Sequence, residues 1–132
     1  MSDPKKPIII DGFDAIQNHK ICLTDENGKH FFHLHNILYA KGEGCYTTFY
    51  FLDKQPNNKE GKIVTSHNLG YYSDMLFDYG FAQANQRIVF NVAYLDTITR
   101  SNEVVLTHKH ELIQVTPSYR VALYELLKID VG

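Results

Sequence analysis

The chain has 132 residues, with 13 Lys plus Arg against 15 Asp plus Glu and a formal net charge of −2. That length holds one core and leaves too little chain for two, and 44% apolar with 13% aromatic residues excludes global disorder. The charge balance runs against a dedicated nucleic-acid binder, which usually carries a basic excess to displace counterions from phosphates, so any basic patch must be local.

Residues 1–19 read as an N-terminal extension and 20–132 as the domain. Pro4 and Pro7 discourage regular structure, and Lys5 and Lys6 keep the segment solvated. Ile8, Ile9 and Ile10 suit one short strand on a sheet edge, or a contact with a partner. A run of three apolar residues is far short of a signal h-region or a membrane span, so no membrane association and a cytoplasmic location are expected. Cys22 and Cys45 lack CxxC spacing and read as two half-buried thiols in a reducing compartment.

From Lys20 the pattern is β, rich in Tyr, Phe, Val, Ile and Thr, which favour a pleated surface. Residues 20–24 alternate apolar and polar, Asp25-Glu26-Asn27-Gly28 is a hairpin turn, and 30–35 alternate again with Phe32 and Leu34 on one face. Strands are expected over 36–41 and 46–52 around Gly42-Glu43-Gly44, then a polar loop over 53–61 and a strand over 62–65. Leu69, Tyr72, Met75 and Leu76 fall on one face of a helix, with Asn68 or Ser66 to cap it and Gly80 beyond its end. Short strands follow over 81–84, 88–91, 95–100, 104–107 and 112–116, with a turn at Ser101-Asn102. A helix over 118–128, entered by Pro117, carries apolar Val121, Leu123, Tyr124 and Leu127. The sum is an all-β-dominated domain of small sheets with one central and one C-terminal helix.

Nothing in this pattern marks an enzyme. No Gly-rich phosphate loop, nucleophile elbow, HExxH or poised carboxylate pair occurs. His33/His35 and His108/His110 are each spaced to share a strand face, but a zinc site wants a third ligand and none is indicated. They read as solvent-facing histidines, and no metal or cofactor is expected.

The order of segments carries more. Asn36-Ile37-Leu38-Tyr39-Ala40 runs into GEGCYTTFYF, then KIVTSHNLGYYSDML, YGFAQANQRIVFNVAYLDTI and EVVLTHKHELIQVTPSYRVALYELL. In this order and spacing the chain resembles, over about residues 20–128, the LytTR-type DNA-binding domain of bacterial response regulators. The resemblance implies an elongated fold of small sheets that presents loops, rather than a recognition helix, to successive major grooves of double-stranded DNA. It places DNA contacts at 43–46, 83–87 and 117–120, which selects Glu43, Tyr46, Gln83, Asn85, Gln86, Arg87, Ser118 and Arg120. It assigns core or turn positions to Tyr39, Ala40, Tyr46, Leu69, Leu76, Gly80, Phe81, Val89, Asn91, Ile98, Val104, Leu106, Val115, Leu123 and Leu127. Asn91 is expected to be a buried amide tying strands together.

The contacting half departs from the family. Gln83 and Asn85 stand where it has Arg and His, Arg87 replaces its Ser, and Val115-Thr116-Pro117-Ser118 lacks both arginines of its final turn. Amides at 83, 85 and 86 suit adenine, and Arg87 and Arg120 are placed to take over lost contacts. Lys41, Lys62, Lys109, Lys5 and Lys6 are the candidates for phosphate neutralisation. Nineteen leading residues cannot form a receiver domain, so a free-standing regulator is expected. The alternative is a diverged domain that has lost DNA binding and serves as a homodimer or partner-protein module.

Overall fold

The computed structural model describes residues 9–10, 19–107 and 112–129. Among the described residues three antiparallel sheets are built from eleven strands. β1 (Ile9–Ile10), β2 (Lys20–Asp25) and β3 (Gly28–His33) form the first, in that order. The central sheet has the order β6-β5-β4-β8-β7, from β4 (Ile37–Glu43), β5 (Tyr46–Phe51), β6 (Lys62–Thr65), β7 (Phe81–Asn85) and β8 (Ile88–Asn91). β9 (Leu95–Ile98), β10 (Glu103–Leu106) and β11 (Ile113–Gln114) make the third, ordered β11-β10-β9. Helix α1 (Leu69–Phe77) follows β6, and α2 (Pro117–Leu127) closes the fold.

Alternation along the central strands divides the core in two. Ala40, Phe49, Ile63 and Val89 point to one face, where they meet Ile21, Leu23 and Phe32 of the first sheet and Leu69, Tyr72 and Leu76 of α1. Tyr39, Ile88 and Phe90 point to the other, under Val104, Leu106 and Ile113 of the third sheet and Leu123 and Tyr124 of α2. Leu38 and Tyr39 share that second core although they are consecutive. The β4–β5 register shifts between Ile37 and Tyr39, so Leu38 is a bulged residue that restarts the alternation.

The first hairpin closes where Asp25-Glu26-Asn27-Gly28 is expected, with the Asn27 N–H donating to Asp25 Oδ1 at 2.8 Å. α1 is capped by Asn68, whose Oδ1 accepts from the Tyr71 N–H at 3.0 Å. Its buried Tyr72 donates to Thr65 Oγ1 at 2.8 Å, and Thr65 donates to the Thr47 carbonyl at 3.2 Å. Burial pushes the Tyr72 phenol up to about 12. Asn91 is a buried amide tying strands, its Nδ2 donating to the Ile37 carbonyl at 3.0 Å and its Oδ1 accepting from the Ala93 N–H at 3.1 Å.

Several expectations shift. Leu34–Asn36 is a 3-10 turn, so β3 ends at His33 and β4 begins at Ile37. β9 stops at Ile98 because Thr99 and Asn102 form a turn, the latter at φ 59. The strand expected over 112–116 is only Ile113–Gln114, since Val115 bonds to the Asn102 carbonyl and Pro117 starts α2. Tyr46 is 57% exposed rather than core, and Ile98 and Leu127 are half-buried. Val121 is 53% exposed, because two residues along a helix turn about 200° from Leu123. Cys45 is exposed rather than half-buried, since it occupies the second position of a hairpin turn. The Ile9–Ile10 pair does add an edge strand, against Ile21 and Lys20. Lys5, Lys6, Ile8, Lys109, His108 and His110 lie outside the described residues.

Candidate functional site

Three segments that the sequence singled out come together at one end of the central sheet. The first is the β4–β5 hairpin, where Glu43 pairs with Tyr46 across a two-residue turn, Gly44-Cys45. Gly44 sits at φ +62, the left-handed conformation that a tight hairpin turn asks of its first residue. The second is the β7–β8 turn, Gln86-Arg87. β4 lies beside β8, and the Gly42 N–H donates to the Arg87 carbonyl at 2.7 Å, so the two turns are neighbours. The third is the start of α2, held by the Thr116 N–H donating to the Ala84 carbonyl at 3.1 Å.

Within this end the selected side chains play different parts. Glu43, Tyr46, Gln86, Arg87 and Ser118 are exposed, while Gln83, Asn85 and Arg120 are half-buried. Asn85 is engaged at both ends of its amide: Oδ1 accepts from the Arg87 N–H at 2.8 Å and Nδ2 donates to the Gln114 carbonyl at 2.7 Å. Gln83 Nε2 donates to the Asn85 carbonyl at 3.0 Å. These two amides therefore shape the turn and fasten it to the chain entering α2, leaving Gln86 and Arg87 at its tip. A register shift between Gln83 and Asn85 places one extra residue just before that tip.

The charge here is locally basic. The three segments carry Lys41, Arg87 and Arg120 against a single carboxylate, Glu43, whose Oε1 lies 3.9 Å from Lys41 Nζ. At the start of α2, Arg120 Nε and Thr116 Oγ1 are enclosed without a hydrogen-bond partner. They stand at a helix end where exposed N–H groups favour an anion.

Comparison with solved structures decides the architecture. The chain superposes on the LytTr DNA-binding domain of a protein described as a methyl-accepting/DNA response regulator from Bacillus cereus, with a TM-score of 0.63, 18% identity, and coverage of 82% of this chain and 95% of that one. The fold is that of a LytTR domain. No protein-family model matches the sequence, and no curated protein matches it.

A further segment lies beside these turns. Ser66, His67 and Asn68, all exposed, lead into α1 beside the β4–β5 hairpin. The Thr47 hydroxyl donates to the His67 carbonyl at 2.7 Å, and the His67 ring stacks on Tyr71 at 4.0 Å. The Ser66-x-x-Leu69 spacing is the local signal for this segment, and it also marks the start of the helix. The His33 and His35 rings stack at 5.1 Å across the end of β3, with His35 already in the 3-10 turn. Among the described residues no group of three or more His, Cys, Asp or Glu is arranged to hold a metal ion.

Proposed function

We propose that this domain binds double-stranded DNA in a sequence-specific manner and acts in bacterial transcription regulation, with the turns at the end of the central sheet entering the major groove. The observation that carries this reading is the convergence of the β4–β5 turn, the β7–β8 turn and the start of α2 on a LytTR fold. The similar solved domain bears the name of a DNA-binding domain of a response regulator.

The residues divide the work by chemistry. Arg87 presents a guanidinium fork suited to guanine O6 and N7, and Gln86 an amide suited to adenine. Glu43 can accept from a cytosine amino group. Tyr46, Ser118 and Arg120 supply donors to phosphate oxygens, with Lys41 adding charge; Lys62 lies opposite Tyr50, at the end of β6 away from the turn. Asn85 and Gln83 act one step back, by building the turn that aims Gln86 and Arg87.

A second reading, a diverged domain serving protein interaction, is favoured by one observation: the amide that would replace the family's His is spent inside the chain. Anisotropy titrations with pooled fluorescent duplexes at two salt concentrations separate the two. Salt-dependent binding that drops in Arg87→Ala and Arg120→Ala supports the DNA reading. Absence of binding at low salt, including to A·T-rich repeats, sinks it and leaves the protein-interaction reading.

A further inference from the structure

Among the described residues β6 is an edge strand of the central sheet, with a strand partner, β5, on one side and none on the other. The Phe51 N–H donates to the Gly61 carbonyl at 2.9 Å, and the register continues as Phe49 with Ile63 and Thr47 with Thr65. In an antiparallel ladder the bonded pairs alternate, so the backbone groups of Lys62 and Val64 point away from β5. The Lys62 carbonyl indeed accepts from Asn58 Nδ2, at 2.9 Å. The Val64 N–H and carbonyl open onto a cleft of about 810 Å³ that runs along residues 62–66.

The cleft has chemically distinct walls. On one side of the strand, Val64 is 49% exposed and Tyr46 stands beside it. On the other lies the β2–β3 turn, with the carboxylates of Asp25 and Glu26. Asp25 is fixed by His30 Nε2 at 2.9 Å, a bond that holds its carboxyl below the usual range, so it is charged at neutral pH. Lys59 and Glu60 offset each other in the loop at one end, leaving Lys62 on the Val64 side. A strand laid along β6 places successive side chains on opposite walls. One set then meets Val64 and Tyr46, and the other meets Asp25 and Glu26.

From this we infer that the β6 cleft receives an extended peptide of alternating basic and apolar residues, added to the central sheet as a further strand. Main-chain bonds to Val64 supply affinity, and the two walls supply the alternation. The inference goes beyond the DNA reading and does not depend on it, because the edge of β6 and its walls are formed by other residues than the Arg87 and Arg120 turns.

The test is an amide-resolved NMR titration of the full chain with a peptide of Lys-Val repeats and with a block peptide of the same composition. Saturable shifts of Val64, Tyr46 and Asp25 with the alternating peptide, and weaker binding of the block peptide, are expected. Asp25→Asn combined with Glu26→Gln should weaken the alternating peptide roughly five- to tenfold, the combined effect of two exposed charge contacts. Val64→Pro removes the central N–H and should abolish binding; Val64→Lys, which keeps the strand, should weaken it if the proline variant does not fold. Equal affinity for the two peptides, shifts confined to residues away from the cleft, or self-association of the chain through β6 that the peptide does not displace would each overturn the inference.

Discussion

Gly42 on β4 and Leu69 at the start of α1 touch so closely that a Cβ on Gly42 would lie 2.8 Å from the Leu69 Cβ. No L side chain fits that gap without a shift of the helix entrance. The contact fixes where Ser66, His67 and Asn68 stand relative to the β4–β5 turn. Gly42→Ala should therefore destabilise the domain by about 1–3 kcal/mol, the usual cost of forcing extra atoms into a packed site. Urea denaturation checks this, and an unchanged midpoint would show that the helix yields freely.

Arg87 and Asn85 are neighbours with separable effects. Loss of the Arg87 side chain should weaken duplex binding and reduce the salt slope by about 1, as for one phosphate contact, or relax base preference by about 1–3 kcal/mol if it reads guanine. Stability should change little, because the side chain is exposed. Anisotropy across a salt series distinguishes the two outcomes.

Asn85→Ala removes two internal hydrogen bonds, one to the Arg87 N–H and one to the Gln114 carbonyl. The expected cost is about 1–2 kcal/mol of stability. DNA affinity should fall as well, yet with an unchanged salt slope, since no charge is removed. Thermal melts and salt titrations of the same variant test both halves.

The buried Tyr72 phenol gives a pH signature. Its folded value of about 12 lies above the ordinary 10.0, so folding favours the protonated form. Its contribution is complete below pH 10 and is lost as the pH rises toward 12, because the unfolded chain releases that proton first. Denaturant melts between those limits should show stability falling. Tyr72→Phe should flatten part of that fall while costing about 1 kcal/mol at neutral pH for the lost bond to Thr65.

Asn91 offers a stability test remote from the turns. Replacing it with Ala leaves the buried Ile37 carbonyl and the Ala93 N–H without their partners. About 1–3 kcal/mol of destabilisation is expected, readable in a urea midpoint, with little change in DNA affinity for the protein that remains folded.

Much of the fold was legible because its signals are local. Asn68 before an apolar helical face, Asp25 through Gly28 between alternating runs, and Pro117 at a helix entrance each act within a few residues. The segment order also pointed correctly to a LytTR fold. What stayed hidden depended on partners far along the chain. Nothing near Asn85 reveals that its amide meets Gln114, and nothing near Tyr46 reveals that this half of its sheet face is uncovered. Val121 looked apolar enough for the core, but its azimuth on α2 points it to solvent. The bulged Leu38 defeated the simple alternation that otherwise assigns faces.

That bulged strand has a consequence for how the domain comes apart. β4 lends Ile37 and Ala40 to one core and Leu38 and Tyr39 to the other. Loss of β4 would therefore dissolve both cores at once, whereas either outer layer can lift away with β4 in place. Hydrogen exchange is expected to be slowest along β4, whose release requires opening of the whole domain.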